Sequence, residues 1–321
     1  MNLRRAMGAA LAALLLAACA APQTSRLIAR PSTAVAVRSA ELANTPYFPQ
    51  DDYYCGPATL AMALTAIGIA TTPDELATQV YLPERKGSLQ IEMLAAARRH
   101  GALPVVLPPS LEALLQELAA GHAVIVLQNL GLSWVPYWHY AVAIGYDLDR
   151  ELIFLRSGPE QRQELSLSTF ERTWQRSQMW AFTVQRPGEL PATATLEAVA
   201  AAASAFERIN PPAQARANFT AALKRWPQDF VLHLGLGNAA YRAGDFSGAR
   251  AAFAAATGLR PDSAAAWNNL ALALLELGEL DQAWTAAQRA GSLDSSFAAA
   301  VAETVTAIEA ARARRQRSGG G

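Results

Sequence analysis

The chain has 321 residues, with 27 basic and 27 acidic side chains and a formal net charge of zero. That balance leaves no electrostatic footprint for nucleic acid, and the length suggests about two domains. The hydrophobic fraction of 52% is inflated by Ala, especially after residue 192, so it points to tight helix–helix packing. No run after the first 20 residues reaches the ~20 apolar positions that span a bilayer.

Met1 to Arg5 holds two arginines, Ala6 to Ala18 is apolar with one Gly, and Leu16-Ala17-Ala18-Cys19 closes the stretch. A basic start, a short apolar run and small residues before the cut read as an export signal over residues 1–18. The Leu-Ala-Ala-Cys ending resembles the bacterial lipobox. The resemblance implies cleavage before Cys19 and lipid on its sulfur and amine, enough for stable anchoring. Ala20 rather than Asp follows, as in outer-membrane lipoproteins, so a periplasm-facing outer-membrane lipoprotein is expected. The chain has two cysteines. With Cys19 lipidated, Cys55 has no partner within the chain, and a lone thiol in an oxidising compartment is either buried or used.

Residues 19–44, rich in Ala, Ser, Thr, Arg and Pro, read as a tether, with a short strand near Val35–Arg38. Residues 45–187 read as a mixed domain that opens with QDDYYCGPATLAMAL, Gln50 to Leu64. Pro57 suits a first helical turn, Ala58 to Ile67 is helix-compatible, and Gly68 ends the run. Cys55 is therefore expected at the N-terminal tip of a largely buried helix. Backbone N–H groups and the helix dipole favour a thiolate there. Gln50, five residues earlier, is placed to offer an amide N–H to an oxyanion beside that sulfur.

Thr72-Pro73-Asp74-Glu75 spells a capping box. Ser88 opens a helical stretch that ends near His100-Gly101. Leu103 to Leu107 reads as a strand, and Ser110 to Ala120 as an amphipathic helix stopped by Gly121. Ala123–Leu127, His139–Tyr146, Leu152–Arg156 and Trp180–Val184 are apolar, β-favouring runs. Asp147 to Arg150 makes a hairpin of the middle two. Ser168 to Trp174 reads as a short helix, with Ser168 and Glu171 in capping positions. Helices followed by an antiparallel sheet define an α+β domain.

Residues 188–195 form a Pro/Gly-containing linker. Residues 196–312 are helical and repeat at a step of 34: His233 with Trp267, Leu236 with Leu270, Gly244 with Gly278, Ala249 with Ala283, Ala256 with Ala290. The step and the residue types fit the tetratricopeptide pattern, which predicts protein partners. Phe253 and Pro261 become Ala287 and Ser295 in the second copy, a weakening. Ala215, Phe219, Ala222 and Pro227 mark a worn copy upstream, and three units suffice for a small stack. Ala298 to Arg312 would close it, with 313–321 a solvated tail.

A thiol nucleophile needs a base within hydrogen-bond reach and a third group to orient it. Of four histidines, His100 reads as a helix C-terminal residue, His122 as a turn residue and His233 as packing in the repeats. His139 opens the strand HYAVAIGYD after an aromatic loop, Trp134 to Trp138. The two motifs QDDYYCGPATLAMAL and HYAVAIGYD, in that order, resemble the C39-like cysteine peptidases over roughly residues 46–184. With the lipobox and the repeats they resemble the PA2778 family of cysteine peptidases. The resemblance implies a papain-like fold, Cys55 as nucleophile, His139 as general base and acid, and Gln50 as oxyanion donor.

One departure stands out. The resemblance leads to an Asp at the end of the strand after the His strand, and Ser157 stands there. A hydroxyl can hold the imidazole tautomer but brings no charge to stabilise an imidazolium. Asp147 and Asp149 belong to the hairpin turn at the far end. Tyr53, Tyr54, Trp134, Tyr137 and Trp138 are candidates for lining a substrate cleft. The expectation is a lipid-anchored thiol peptidase whose repeats recruit a protein. The alternatives are a decayed, peptide-holding scaffold, or an enzyme that moves the acyl group to an amine or cleaves a non-peptide amide. Cys and His are too few and scattered for a metal site, and no cofactor is expected.

Overall fold

The computed structural model describes residues 21–30, 33, 35, 37–49 and 54–318. Cys19, Gln50 and Tyr53 lie outside the described residues. The chain splits into two compact units. The first ends at Arg186 and takes in Pro191–Ala198; the second is Pro187–Leu190 together with the chain from Val199 onward.

In the first unit the elements are α1 (Pro22–Ala29), β1 (Ser39–Glu41), α2 (Cys55–Ala66), α3 (Pro73–Val80), β2 (Tyr81–Leu82), β3 (Gly87–Ser88), α4 (Gln90–Arg99), β4 (Leu103–Val106), α5 (Leu111–Ala119), β5 (Val124–Asn129), β6 (Trp138–Asp147), β7 (Leu152–Ser157), β8 (Glu160–Ser166), α6 (Leu167–Gln175) and β9 (Ala181–Gln185). Seven strands form one antiparallel sheet in the order β4-β9-β5-β6-β7-β8, with β1 added on β6. β2 and β3 pair as a separate small hairpin.

The period-2 alternation of the strands builds two cores. Ile125, Leu127, Tyr140, Val142, Ile144, Phe182 and Val184 face one way and pack on α2, α3 and α4 through Leu60, Leu64, Leu76 and Met93. Val124, Val126, Ala141, Ala143, Leu155 and Ala181 face the other way and pack on α1, α5 and α6 through Leu27, Leu114 and Trp174. A bulge between Ala143 and Gly145 flips the parity of β6, so Tyr146 joins the second core although Ile144 belongs to the first. Burial of each such large side chain contributes about 1.5–3 kcal/mol.

The capping box is present: Glu75 N donates to Thr72 Oγ1 at 3.3 Å, and Thr72 N donates to Glu75 Oε2 at 3.0 Å. Ser110 caps α5 by accepting from Ala113 N. Three local expectations are corrected. Ser166, not Ser168, caps α6, because its hydroxyl accepts from Thr169 N. Ser88 lies in β3, and α4 starts only at Gln90. Strand β8 was not foreseen: EQRQELS lies at the sheet edge with mostly exposed side chains, so it carries almost no apolar signal.

The expected tether 19–44 is also corrected in its described part. Helix α1 is docked: the buried Glu171 carboxylate accepts from Gln23 N at 2.9 Å and Thr24 N at 2.7 Å. An anion there satisfies donors that a helix start leaves open. Gln23 Oε1 in turn accepts from Leu111 N at 2.6 Å, and Leu27 and Val35 enter the second core. The strand falls at Ser39–Glu41, after the expected Val35–Arg38.

Part of the 188–195 linker is held as well. Fully buried Glu117 on α5 accepts from Thr193 N and Thr193 Oγ1, both at 2.6 Å, and from Ala192 N at 3.2 Å. His122 Nδ1 closes the cluster at 2.6 Å from Glu117 Oε2.

The helices beyond are α7 (Leu196–Glu207), α8 (Pro212–Arg225), α9 (Phe230–Arg242), α10 (Phe246–Leu259), α11 (Ala264–Glu276), α12 (Leu280–Gly291) and α13 (Ala298–Ser318). The last runs through Ser318, beyond the expected end at Arg312, so 313–318 is helix and not tail. The shared small positions Ala215, Ala249 and Ala283 are all buried. His233 Nε2 meets Pro227 O at 2.9 Å, and 34 residues on Trp267 Nε1 donates to Pro261 O at 3.0 Å. A ring N–H at the same repeat position thus reaches the same carbonyl, which explains a His where the pattern has Trp.

Candidate active site

Cys55 is the first residue of α2 and a half-buried free thiol. Thr59 Oγ1 donates to Cys55 O at 2.8 Å and to Gly56 O at 3.0 Å, fixing the first turn. The next residue must be small: a Cβ on Gly56 would lie 2.3 Å from Ser88 Oγ. The Ser88 carbonyl accepts from Tyr140 Oη at 3.2 Å, so the tip of α2, the β3 hairpin and β6 meet at one point. The backbone N–H groups of Tyr140, Gly56 and Cys55 itself are directed at the sulfur. The thiol therefore sits against the residue that follows His139.

The expected easy ionisation is corrected. Burial pushes the Cys55 thiol up, and the three N–H groups offset this only in part. Desolvation disfavours the charged form, and here it outweighs the helix tip.

His139 lies at the start of β6, half-buried. Its Nε2 is 2.9 Å from Oγ of Ser157, which is the last residue of β7. Burial pushes the imidazole down to about 4. With the thiol raised and the imidazole lowered, the pair rests as neutral thiol and neutral imidazole at neutral pH. When Nε2–H donates to Ser157, Nδ1 is left with a lone pair for an incoming proton.

Both residues line one cleft of about 760 Å³. Tyr137 and Trp138 line it as expected. Trp134 does not; it is 78% exposed at the tip of the preceding loop. Tyr54 stacks on Tyr81 with ring centroids 5.2 Å apart. Sequence reasoning missed Arg85, Lys86, Ser88 and Arg176, which also line the cleft. They come from the β2–β3 hairpin and the turn after α6, and nothing local in the sequence marks them as neighbours of Cys55. No carboxylate is among the described residues lining the cleft. Asp147 begins the hairpin turn at the opposite end of β6 from His139, and its Oδ1 accepts from Asp149 N and Arg150 N. The other histidines have partners elsewhere: His100 pairs with Gln79, His122 with Glu117 and His233 with Pro227.

Residues 42–181 match the Peptidase_C39 like family, and residues 200–245 and 234–296 match the tetratricopeptide repeat. The chain is therefore an α+β protein with an N-terminal C39-like peptidase domain followed by a helical repeat region. No curated protein matches the chain. Among solved structures it is similar to a candidate C39-like peptidase from Bacillus anthracis, at 18% identity and a TM-score of 0.40, covering 47% of this chain and 98% of that one. It is also similar to the Sgt2 tetratricopeptide domain from Aspergillus fumigatus, at 18% identity and a TM-score of 0.35, over 38% and 82% of the two chains. The Yersinia enterocolitica translocator chaperone SycD matches at 21% identity and a TM-score of 0.35, over 38% and 94%.

Proposed function

We propose that the protein is a lipid-anchored thiol peptidase of the PA2778 type whose repeats recruit a protein partner. The observation that carries this reading is the thiol at a helix tip sharing a cleft with an imidazole oriented by a hydroxyl. In the proposed reaction His139 Nδ1 takes the Cys55 proton as the sulfur bonds to a peptide carbonyl carbon. The carbonyl π electrons pass to oxygen, where Gln50 and the Cys55 N–H receive the oxyanion. The C–N bond breaks as His139 returns the proton to the leaving amine. Water then attacks the thioester, giving a proton to His139, and the acid leaves as the thiol is restored. The neutral resting pair makes His139 a general base in the attack step, not half of a preformed ion pair.

The same neutral pair supports a second reading, a weak or inactive scaffold that holds peptides at the outer membrane. Labelling of Cys55 separates the two. A peptidyl acyloxymethyl ketone should label the wild type far faster than His139→Ala, and Cys55→Ser should abolish peptide cleavage with the fold intact. Equal labelling of wild type and His139→Ala would leave only the scaffold. The anchor is tested by Cys19→Ala, which should release the protein from membranes; persistence in the membrane fraction rules the anchor out.

A further inference from the structure

We propose that the end of the sheet carrying the Cys55–His139 cleft lies against the membrane surface, with Leu132, Trp134 and Val135 seated in the lipid interface, so that the enzyme takes substrates displayed at the bilayer. This rests on the lipid anchor at Cys19.

The first support is distance along the chain. Cys19 precedes Pro22 by three residues, so their Cα atoms are at most roughly 11 Å apart. Pro22 begins α1, and α1 is docked through Glu171 and Leu111. A lipid on Cys19 would thus hold the domain where α1 starts, with no long tether between.

The second support is where α1 starts. Gln23 Nε2 lies 3.1 Å from Met179 Sδ and 3.4 Å from Pro109 O. Pro109 follows the C-terminal end of β4, and Met179 precedes the N-terminal end of β9. In the antiparallel register these ends lie beside the C-terminal end of β5 and the N-terminal end of β6, where Asn129 pairs with Trp138 and Gln128 with His139. The anchor point and the cleft therefore share one end of the sheet. Arg176, Ser177 and Gln178, which line the cleft, directly precede Met179.

The third support is what else stands at that end. Leu132, Trp134 and Val135 are 51%, 78% and 64% exposed. Their loop is held from below, not left loose: Asn129 Oδ1 accepts from Gly131 N at 3.0 Å and Tyr137 N at 2.9 Å, Leu132 and Val135 exchange two hydrogen bonds at 3.1 Å, and Arg176 Nη1 donates to Gly131 O at 2.7 Å. A braced loop presenting a Trp and two aliphatic side chains matches the amphipathic interface of a bilayer. Among the described residues, the charged ones lining the adjacent cleft are Arg85, Lys86 and Arg176, a sign that suits anionic headgroups.

The test uses the full-length protein reconstituted into phosphatidylethanolamine–phosphatidylglycerol vesicles with brominated acyl chains, after the mass of its mature N-terminus is read. Bromine should quench part of the Trp emission, and Trp134→Phe should lose most of that quenching. An acylated protein whose Trp134 stays open to acrylamide and unquenched by bromine overturns the proposal while the anchor stands. Shielding from acrylamide without bromine quenching also overturns it and assigns the loop to a protein contact. An unacylated N-terminus overturns anchor and proposal together. Cys55 labelling in the same vesicles reads the peptidase assignment separately.

Discussion

The imidazole of His139 and the hydroxyl of Ser157 lie 2.9 Å apart, and no carboxylate among the described cleft residues stands near them. A hydroxyl fixes the ring's orientation without adding charge. An imidazolium formed here would be desolvated with no carboxylate partner among the described cleft residues, and burial carries His139 down to about 4. Orientation and charge stabilisation, often supplied by one acid, are separated in this site, and among the described residues only the first is present.

Restoring the charge gives the sharpest prediction. Ser157→Asp should raise the His139 pKa, because a carboxylate favours the protonated ring, and each unit is worth about 1.4 kcal/mol or tenfold. Cys55 alkylation at pH 6–7 should rise by about tenfold or more as the ion pair becomes populated. Ser157→Ala should slow peptide turnover less than His139→Ala. An unchanged alkylation profile in Ser157→Asp would show that the 2.9 Å contact does not govern the ring.

The wild-type pH profile follows from the same two shifts. A buried thiol raised above its ordinary value should react with iodoacetamide at a rate that climbs with pH through 7 and beyond 8. A base lowered to about 4 is neutral above that pH, so the acid limb of kcat/KM should fall near pH 4 and not near 6. Alkylation that levels off below pH 7 would reveal a standing thiolate and refute the neutral pair.

The helix beginning at Cys55, the His139 strand and the 34-residue step were legible because each is local, whereas Ser157 was reached only through the family resemblance. A Pro after Cys-Gly, a β-favouring run and a fixed period need no tertiary knowledge. The protonation state was not legible. The sequence places Cys55 at a helix tip, which lowers a thiol pKa, but its burial against the first core, a tertiary property, brings the desolvation that raises it. The docking of α1 was hidden for a similar reason: its partner Glu171 lies 148 residues from Gln23, and PQTSRLIA alone looks like loosely patterned chain.

Glu117 makes a second buried site with a measurable pH signature. Burial pushes its carboxyl up, but the hydrogen bonds from His122 and Thr193 outweigh that and hold it below the ordinary 4.5. A depressed folded pKa contributes stability that is present above the unfolded value and lost as pH falls through the folded one. Glu117→Gln should cost about 2 kcal/mol at pH 7, the worth of charge-assisted bonds. The gap in melting temperature between wild type and variant should narrow below about pH 4.5. A gap that stays constant from pH 7 to 3 would mean that the charge is not what holds Ala192 and Thr193.

In the repeats, Gly237 and Phe253 offer a test of packing within a single unit. A Cβ on Gly237 would lie 2.3 Å from Phe253 Cε1, and one on Gly235 would lie 2.2 Å from Phe219 Cζ. One repeat later, Ala271 takes the place of Gly237 and Ala287 that of Phe253, and both are buried. Where the ring is lost, the facing position regains its methyl. Ala is favoured over Gly inside a helix by about 1 kcal/mol, so Gly237→Ala would stabilise if nothing opposed it. Against the ring it should instead destabilise by about 1–3 kcal/mol through overpacking. In a Phe253→Ala background, itself about 3–5 kcal/mol less stable, the same substitution should become neutral or stabilising. Thermal denaturation of the two single variants and the double variant gives the coupling directly. An equal cost of Gly237→Ala in both backgrounds would show that the ring is not what requires the glycine.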